Sequence, residues 1–124
     1  MPLKKIIHSM EKIKTYQKIL LSFLEDYAKI TYANAPNLEQ QILVDTKRNH
    51  FQLVSVGWQK GKFIYDVVFH FDIKNGQIWI QQNWTDLKLR QELVERGVAN
   101  QDIFVGFSPL QQPLETTVQS VVAK

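Results

Sequence analysis

The strongest constraint on the fold is a long run of alternating side chains over residues 62–73. Because successive side chains of a β-strand point to opposite faces, this pattern predicts a strand with two different faces. One face carries only apolar and aromatic residues, namely Phe63, Tyr65, Val67, Phe69, Phe71 and Ile73. We expect this whole face to be buried against another layer of the domain.

The covering layer is predicted to be a long amphipathic helix over residues 4–32. Neither glycine nor proline interrupts residues 3–35, and Pro36 then ends the helix. One stripe of apolar residues recurs at steps of three and four, namely Ile13, Tyr16, Leu20, Phe23, Leu24 and Tyr27. Other apolar residues widen the helix surface beyond this stripe, so contact with a second copy in a homodimer is compatible with the pattern.

The alternating run belongs to a predicted four-stranded antiparallel meander. Lys60-Gly61 and Asn75-Gly76 are typical of tight hairpin turns, where the backbone needs positive φ angles. A polar turn over residues 46–49 separates the first two strands. The predicted strands cover residues 41–45, 50–59, 62–73 and 77–81.

A second helix is predicted over residues 85–96, with Thr85 as its N-cap and Gly97 closing it. We expect its buried face to consist of Leu89, Leu93 and Val94. A short strand is predicted at residues 103–107. Pro109 and Pro113 break up the tail that follows. The β-branched residues at 116–123 either add an edge strand or extend away from the domain. The prediction is one α+β domain over residues 1–124, with the long helix packed on the meander, a second helix and a short C-terminal strand.

The composition excludes several classes of site. The chain has no cysteine, which rules out disulfides, iron–sulfur clusters, thiolate zinc sites and a cysteine nucleophile. No apolar run approaches the roughly 20 residues of a membrane span, and the N-terminus lacks the apolar core of a signal peptide. We therefore expect a cytoplasmic protein with no membrane contact.

The net charge of +3 is concentrated at the N-terminus. Residues 1–18 hold a local charge of +4, because one glutamate, Glu11, stands among Lys4, Lys5, Lys12, Lys14 and Lys18. This segment is a candidate nucleic-acid interface, since lysines neutralise phosphates. The alternative, which the charge pattern favours, is a solvated helix face.

The evidence for chemistry is sparse. Asp66, His70 and Asp72 fall on one predicted strand face and form a candidate corner of a metal or acid–base site. The sequence offers no further cluster to complete it, so the alternative that we favour is the solvated side of a half-buried sheet. It also offers no glycine-rich phosphate loop and no nucleophile elbow. We therefore predict no catalytic residue, no metal and no cofactor.

Three tryptophans, Trp58, Trp79 and Trp84, are candidate partner-binding residues. Trp79 alternates with Ile78 and Ile80, so either the tryptophan or the isoleucine pair lies on the outer face of the sheet. An outward aromatic suits a partner surface or base stacking. The alternative, which we favour, is that the second helix covers that face and buries it.

Several segments, in this order and at this spacing, resemble the XisI family of element-excision controlling factors. They are VSVGW at 54–58, HFDI at 70–73, GQIWIQ at 76–81, ELVERGV at 92–98 and DIFVGF at 102–107. The resemblance extends over roughly residues 16–107. The chain departs from the family pattern at Trp84-Thr85-Asp86 and at Ser108.

The resemblance implies an α+β protein of the bacterial cytoplasm without a catalytic centre. It also implies a regulatory role in the site-specific excision of a DNA element, beside a recombinase and a nuclease-like XisH partner. The main hypothesis is thus a non-enzymatic accessory protein that acts with a XisH-like partner. The alternative is direct DNA binding through the lysine-rich first helix.

Overall fold

The computed structural model describes residues 3–108, with side chains described for all of these except residues 31–34. A long helix, α1 (Leu3–Asn34), precedes four strands, β1 (Leu38–Asp45), β2 (His50–Gln59), β3 (Lys62–Lys74) and β4 (Gln77–Asn83). A short helix, α2 (Leu89–Glu95), a 3₁₀ turn (Asn100–Asp102) and a final strand, β5 (Ile103–Val105), complete the order. The predicted breaks at Pro109 and Pro113 and the candidate edge strand over residues 116–123 lie outside the described residues.

The strands form one sheet in the order β1-β2-β3-β4-β5. The first four pair antiparallel, which confirms the predicted meander. Lys60 and Gly61 have φ angles of 51° and 78°, and Asn75 and Gly76 have φ angles of 52° and 74°. The central residues of both hairpin turns therefore adopt the predicted positive φ angles. β5 joins β4 in parallel, since the chain crosses back over the sheet through α2 before it pairs.

One extra residue in β3 divides the predicted apolar face into two halves. Leu53 pairs with Phe69 but Val54 pairs with Val67, so Val68 is a β-bulge without a partner in β2. A bulge reverses the alternation of side chains on its two sides. Phe69, Phe71 and Ile73 are buried, whereas Phe63 and Tyr65 are 56% and 63% exposed. The prediction that all six side chains face the core was therefore wrong for the half that precedes the bulge.

The core lies between the helices and one face of the sheet. From α1, Tyr16, Leu20, Phe23 and Leu24 are buried, as the predicted stripe requires. Phe23 meets Phe69 edge to face, with ring centroids 5.2 Å apart, an arrangement that adds specificity to apolar burial. Strands β2 and β4 complete this core with Phe51, Leu53, Ile78 and Ile80.

The second helix differs from its prediction in length and in position. It begins at Leu89, and Thr85 instead caps the preceding turn, where its hydroxyl accepts a hydrogen bond from the Leu87 amide. Gly97, with a φ angle of 112°, ends the helix as predicted, and the chain then turns back so that Val98 is buried. Val94, which was expected on the buried face, is exposed.

Both helices lie on the same side of the sheet. Leu89 and Leu93 of α2 join the core that α1 covers, and Arg96 reaches α1, where it forms an ion pair with Asp26 at 3.1 Å. The guanidinium of Arg96 also lies 5.2 Å from the ring centroid of Phe23. The interpretation that α2 covers the outer face of the sheet was therefore wrong. We use outer face below for the side of the sheet opposite α1 and α2.

A polar contact between distant parts of the chain fixes α1 on the β5 edge. The Tyr16 hydroxyl donates a hydrogen bond to Asp102 Oδ2 at 2.6 Å, and the Lys12 ammonium pairs with the same oxygen at 2.8 Å. Burial acts to raise the pKa of Asp102, but the hydrogen bonds from Lys12 and Tyr16 outweigh it and hold the pKa below its ordinary value.

Phe71→Ala should destabilise the protein by about 3–5 kcal/mol, because it leaves a cavity in the core. Tyr65→Ala, on the same strand and at the same odd-numbered phase, should change the free energy of unfolding by less than about 1 kcal/mol, because that side chain is already largely in water. Urea unfolding followed by circular dichroism measures both. Equal losses would show that the two side chains share one buried face and would contradict the bulge.

Asp102→Asn should lower the free energy of unfolding by about 1–3 kcal/mol near neutral pH, because it removes the negative charge that strengthens the hydrogen bonds from Lys12 and Tyr16. The pKa of Asp102 is lower in the folded protein than the value of about 3.9 in the unfolded chain, so the ionised carboxylate stabilises the folded protein at a pH above that value. This stabilisation is lost as the pH falls through the lower pKa of the folded protein. The stability difference between wild type and variant should therefore stay constant down to about pH 5 and shrink below about pH 4, so that it is smaller at about pH 3 than at about pH 7. Urea midpoints at the two ends of this range check it, and a constant difference would contradict the role of the Asp102 charge.

Candidate functional site

Five polar side chains converge on the outer face at the end of the sheet where β3 meets the β1–β2 turn. They come from three neighbouring strands, and we call them the polar cluster: His50, Gln52, His70, Asp72 and Gln81. Asp72 is its centre. One carboxylate oxygen, Oδ1, lies 2.7 Å from His50 Nδ1 and 2.8 Å from His70 Nε2, and the other accepts a hydrogen bond from Gln81 Nε2 at 3.2 Å.

The network defines where its protons lie. Because the ionised Asp72 carboxylate can only accept hydrogen bonds, His70 carries a proton on Nε2 and donates it to Asp72. Gln52 Nε2 lies 2.7 Å from the other ring nitrogen, Nδ1. His50 donates to the same carboxylate oxygen through Nδ1. Burial acts to raise the pKa of Asp72, but the hydrogen bonds from His50, His70 and Gln81 outweigh it and lower the pKa below its ordinary value.

The composition of this cluster corrects the sequence-based candidate. Asp66 does not belong to it, because the Val68 bulge lies between Asp66 and His70, and Asp66 pairs with Ser55 on the other face. His50 takes its place. A two-residue turn at Lys60-Gly61 without a bulge would put Phe71 opposite His50, whereas the extra residue puts Asp72 there. No signal in the sequence identifies His50, since the bulge alone creates this pairing.

The three tryptophans do not form one surface. Trp58 lies at the β2–β3 hairpin, 64% exposed, where its ring meets Phe63 at a centroid distance of 5.4 Å. Trp79 is half-buried and stacks on Phe104 at 4.9 Å. Their partners on β3, Phe63 and Asp72, are nine positions apart, so the two rings are separated by roughly 30 Å along the strand.

Trp84 follows β4 and is 70% exposed. Its main-chain amide donates a hydrogen bond to the carbonyl of Val68 at 2.8 Å, which continues the β3–β4 pairing by one residue beyond Phe69 and Asn83. The exposed aromatic residues at the β2–β3 end are thus Trp58, Phe63 and Tyr65, which we call the aromatic cluster. Phe63 and Tyr65 were predicted to lie in the core, and their place on the surface follows from the bulge.

The five candidate lysines divide between two sides of α1. At 100° per residue, Lys4, Lys14 and Lys18 lie opposite the buried stripe, and all three are exposed. Lys12 lies beside Tyr16 instead, where it pairs with Asp102 and is only partly exposed. Lys5 lies on the same side as Lys12, one heptad earlier, and is exposed. The structure therefore brings three of the five lysines onto one solvated face.

The first turns of α1 carry a second apolar stripe that the described core does not cover. Leu3, Ile6, Ile7 and Met10 recur at helical spacing and are 70%, 41%, 45% and 55% exposed. We call these four residues the α1 stripe. Neither helix of the described part combines the length and apolar character that a membrane span requires.

Comparisons with known proteins agree with the fold and with the segments that first indicated a family. Residues 10–117 match the family described as XisI protein. A crystal structure of a XisI-like protein from Anabaena variabilis is 41% identical to this chain in sequence. The match covers 75% of this chain and 92% of the Anabaena chain, with a TM-score of 0.56.

A second crystal structure, the fdxN element excision controlling factor XisI from the same species, is 23% identical. The match covers 78% of this chain and 93% of that chain with a TM-score of 0.66, which shows a shared fold. No curated protein sequence matches the chain. The family match over most of the chain and the 41% identity to a XisI-like protein together show that this protein belongs to the XisI family.

Proposed function

We propose that this protein is a non-enzymatic accessory factor that controls site-specific excision of a DNA element by binding a protein partner. Membership in the XisI family supports the process, since one structurally similar member is named an excision controlling factor. The α1 stripe carries the proposal that the factor acts through binding, because four exposed apolar residues in two helical turns form a ready contact surface. Such a factor would work in the cytoplasm, where a recombinase meets its DNA.

The α1 stripe fits the way in which amphipathic helices dock into apolar grooves. Its residues lie at positions i, i+3, i+4 and i+7, the spacing that such grooves accept. Lys14 follows Met10 on the neighbouring surface and provides a charged rim. The partner we propose is a XisH-like protein of nuclease fold, and a second copy of this chain is the competing occupant of the stripe.

The aromatic cluster is a second candidate contact, at the other end of the domain. Trp58 and Phe63 already pack against each other, so little side-chain entropy remains to be lost when a partner covers them. Aromatic residues of this kind are frequent among the residues that dominate binding energy. An accessory factor with apolar surfaces at two ends can hold two proteins together, as a XisH-like partner and a recombinase would require.

Direct DNA binding is the second candidate function, and the favouring observation is the exposed face with Lys4, Lys14 and Lys18. Glu11 lies on the same face and reduces its net charge, because positions 4, 11 and 18 are separated by whole heptads. Lys12 is held by Asp102 and contributes little to such a face. DNA binding through α1 would therefore rest on few phosphate contacts.

The double variant Ile6→Gln, Met10→Gln should weaken binding of a co-expressed XisH-like protein at least about 10-fold, because it removes the centre of the α1 stripe. Leu43→Gln is the matched control, since Leu43 is a similarly exposed apolar residue on β1. Calorimetry gives the affinity, and light scattering after size exclusion distinguishes a complex with XisH from a homodimer.

The partner-binding proposal requires that the wild type forms a complex at micromolar concentrations and that the control retains it. Absence of a complex with any XisH-like protein of the same genome would contradict it. Loss of self-association in the stripe variant, with no XisH complex, would assign the stripe to a homodimer.

If α1 binds DNA directly, the triple variant Lys4→Gln, Lys14→Gln, Lys18→Gln should reduce the slope of log affinity against log salt by about 3. Lys12→Gln is the control, because it removes the same charge from a residue already paired with Asp102 and should leave the slope nearly unchanged. Fluorescence anisotropy with a labelled duplex over a salt series measures both. An unchanged slope in the triple variant excludes this face as the DNA-binding surface.

A further inference from the structure

We propose that His50, His70 and Asp72 form a binding site for a divalent first-row transition-metal ion, with Zn²⁺ as the best-matched ion. Two imidazole nitrogens and one carboxylate oxygen are a donor set that zinc accepts in proteins, and three protein ligands leave one position open. In the described part of the chain, these three residues form the one group of histidines and acids whose donor atoms converge, all within 4.8 Å of one another. The proposal is independent of which partner the protein binds.

The present distances need little change to admit an ion. Tetrahedral ligands at about 2.1 Å from zinc are separated from each other by about 3.4 Å. Both imidazole nitrogens lie 2.7–2.8 Å from Asp72 Oδ1, because protons now bridge them. When one ion takes the place of these bridges, each imidazole carries its proton on its other ring nitrogen and each nitrogen moves about 0.6 Å away from Oδ1, which small rotations of the His50 and His70 rings supply.

The backbone organises the site in advance through two bulges. Val68 is the extra residue that brings His50 opposite Asp72. Gln81 is the extra residue of a second bulge, since Phe71 pairs with Ile80 while His70 pairs with Gln82. Bulges redirect side chains and occur often beside functional sites. Here one bulge lies before the ligands on β3 and the other lies beside them on β4. The Asp72 side chain, which is 12% exposed, is held in place by its surroundings.

Two glutamines act as outer partners of the ligands. Gln81 donates to Asp72 Oδ2 and leaves Oδ1 for the ion. Gln52 contacts Nδ1 of His70, the ring nitrogen opposite the ligand atom. When Nε2 binds metal, Nδ1 carries the proton, and rotation of the Gln52 amide presents its oxygen as the acceptor. Such a partner for the second nitrogen is characteristic of metal-bound histidine.

The open position faces solvent. His50 is 51% exposed at the side chain, and a shallow depression lined by Leu43, Val44 and Asp45 adjoins the two histidines. Two neutral imidazoles and one carboxylate leave a bound divalent ion with a charge of about +1, which attracts water or an anionic donor.

Tag-free protein titrated with ZnCl₂ in a calorimeter should bind one ion with a Kd of about 10 μM or tighter, as expected for three protein ligands. His50→Ala should weaken binding by more than about 10-fold, and Gln52→Leu should weaken it by about 10-fold through loss of the outer partner. His8→Ala is the matched control, since His8 is an exposed histidine on α1, and it should not change the affinity.

Substitution with Co²⁺ gives a second measurement that does not depend on stability. Intense visible absorption bands should appear in the wild type and disappear in His50→Ala, because they report a tetrahedral site with nitrogen and oxygen donors. Because His50 is half-exposed, this variant keeps the core intact, and its circular dichroism spectrum checks that. A Kd weaker than about 100 μM in the wild type, or equal binding by His50→Ala, would overturn the proposal as adventitious surface binding.

Discussion

The organisation of this protein depends on one residue, Val68, that has no partner across the β2–β3 ladder. Because a β-strand has a side-chain period of two, one extra residue exchanges the faces of everything on one side of it. Beyond the bulge, Phe69 and Phe71 contact α1 and close the core. Before it, Phe63 and Tyr65 turn to the outer face and join Trp58. Val68 stays bonded to the sheet on its β4 side, since its carbonyl accepts a hydrogen bond from the Trp84 amide.

The same shift places His50 opposite Asp72, so one backbone irregularity generates both features of the outer face. The polar cluster and the aromatic cluster lie at opposite ends of β3, and both helices lie behind the sheet. The core of such a domain lies on one side of the sheet, and the two clusters lie on the other. The proposed metal site and the proposed partner surfaces therefore use residues that the core does not need, which separates binding from stability.

Most of the fold was predictable because its signals are local. The period of α1, the glycine-containing hairpin turns and the strand character of β2–β4 each depend on neighbours in sequence, and all agree with the structure, whereas the alternation of β3 holds only on each side of the bulge. The candidate site was predictable only in part. His70 and Asp72 were identified from their shared strand face, whereas Asp66 was wrong and His50 was missed. The lysines were located correctly on α1, but Lys12 binds Asp102, a residue distant in the chain.

The sequence by itself determined the elements, their order and the positions of the tight turns, because backbone sterics and hydrophobic period act within a few residues. Only the tertiary structure decided which half of β3 is buried, that α2 shares the side of α1, and that two histidines from different strands meet one carboxylate. These outcomes depend on strand register, and register is selected by packing of the whole core. A bulge that improves the fit of Phe69 and Phe71 under α1 has no signature among the residues beside it.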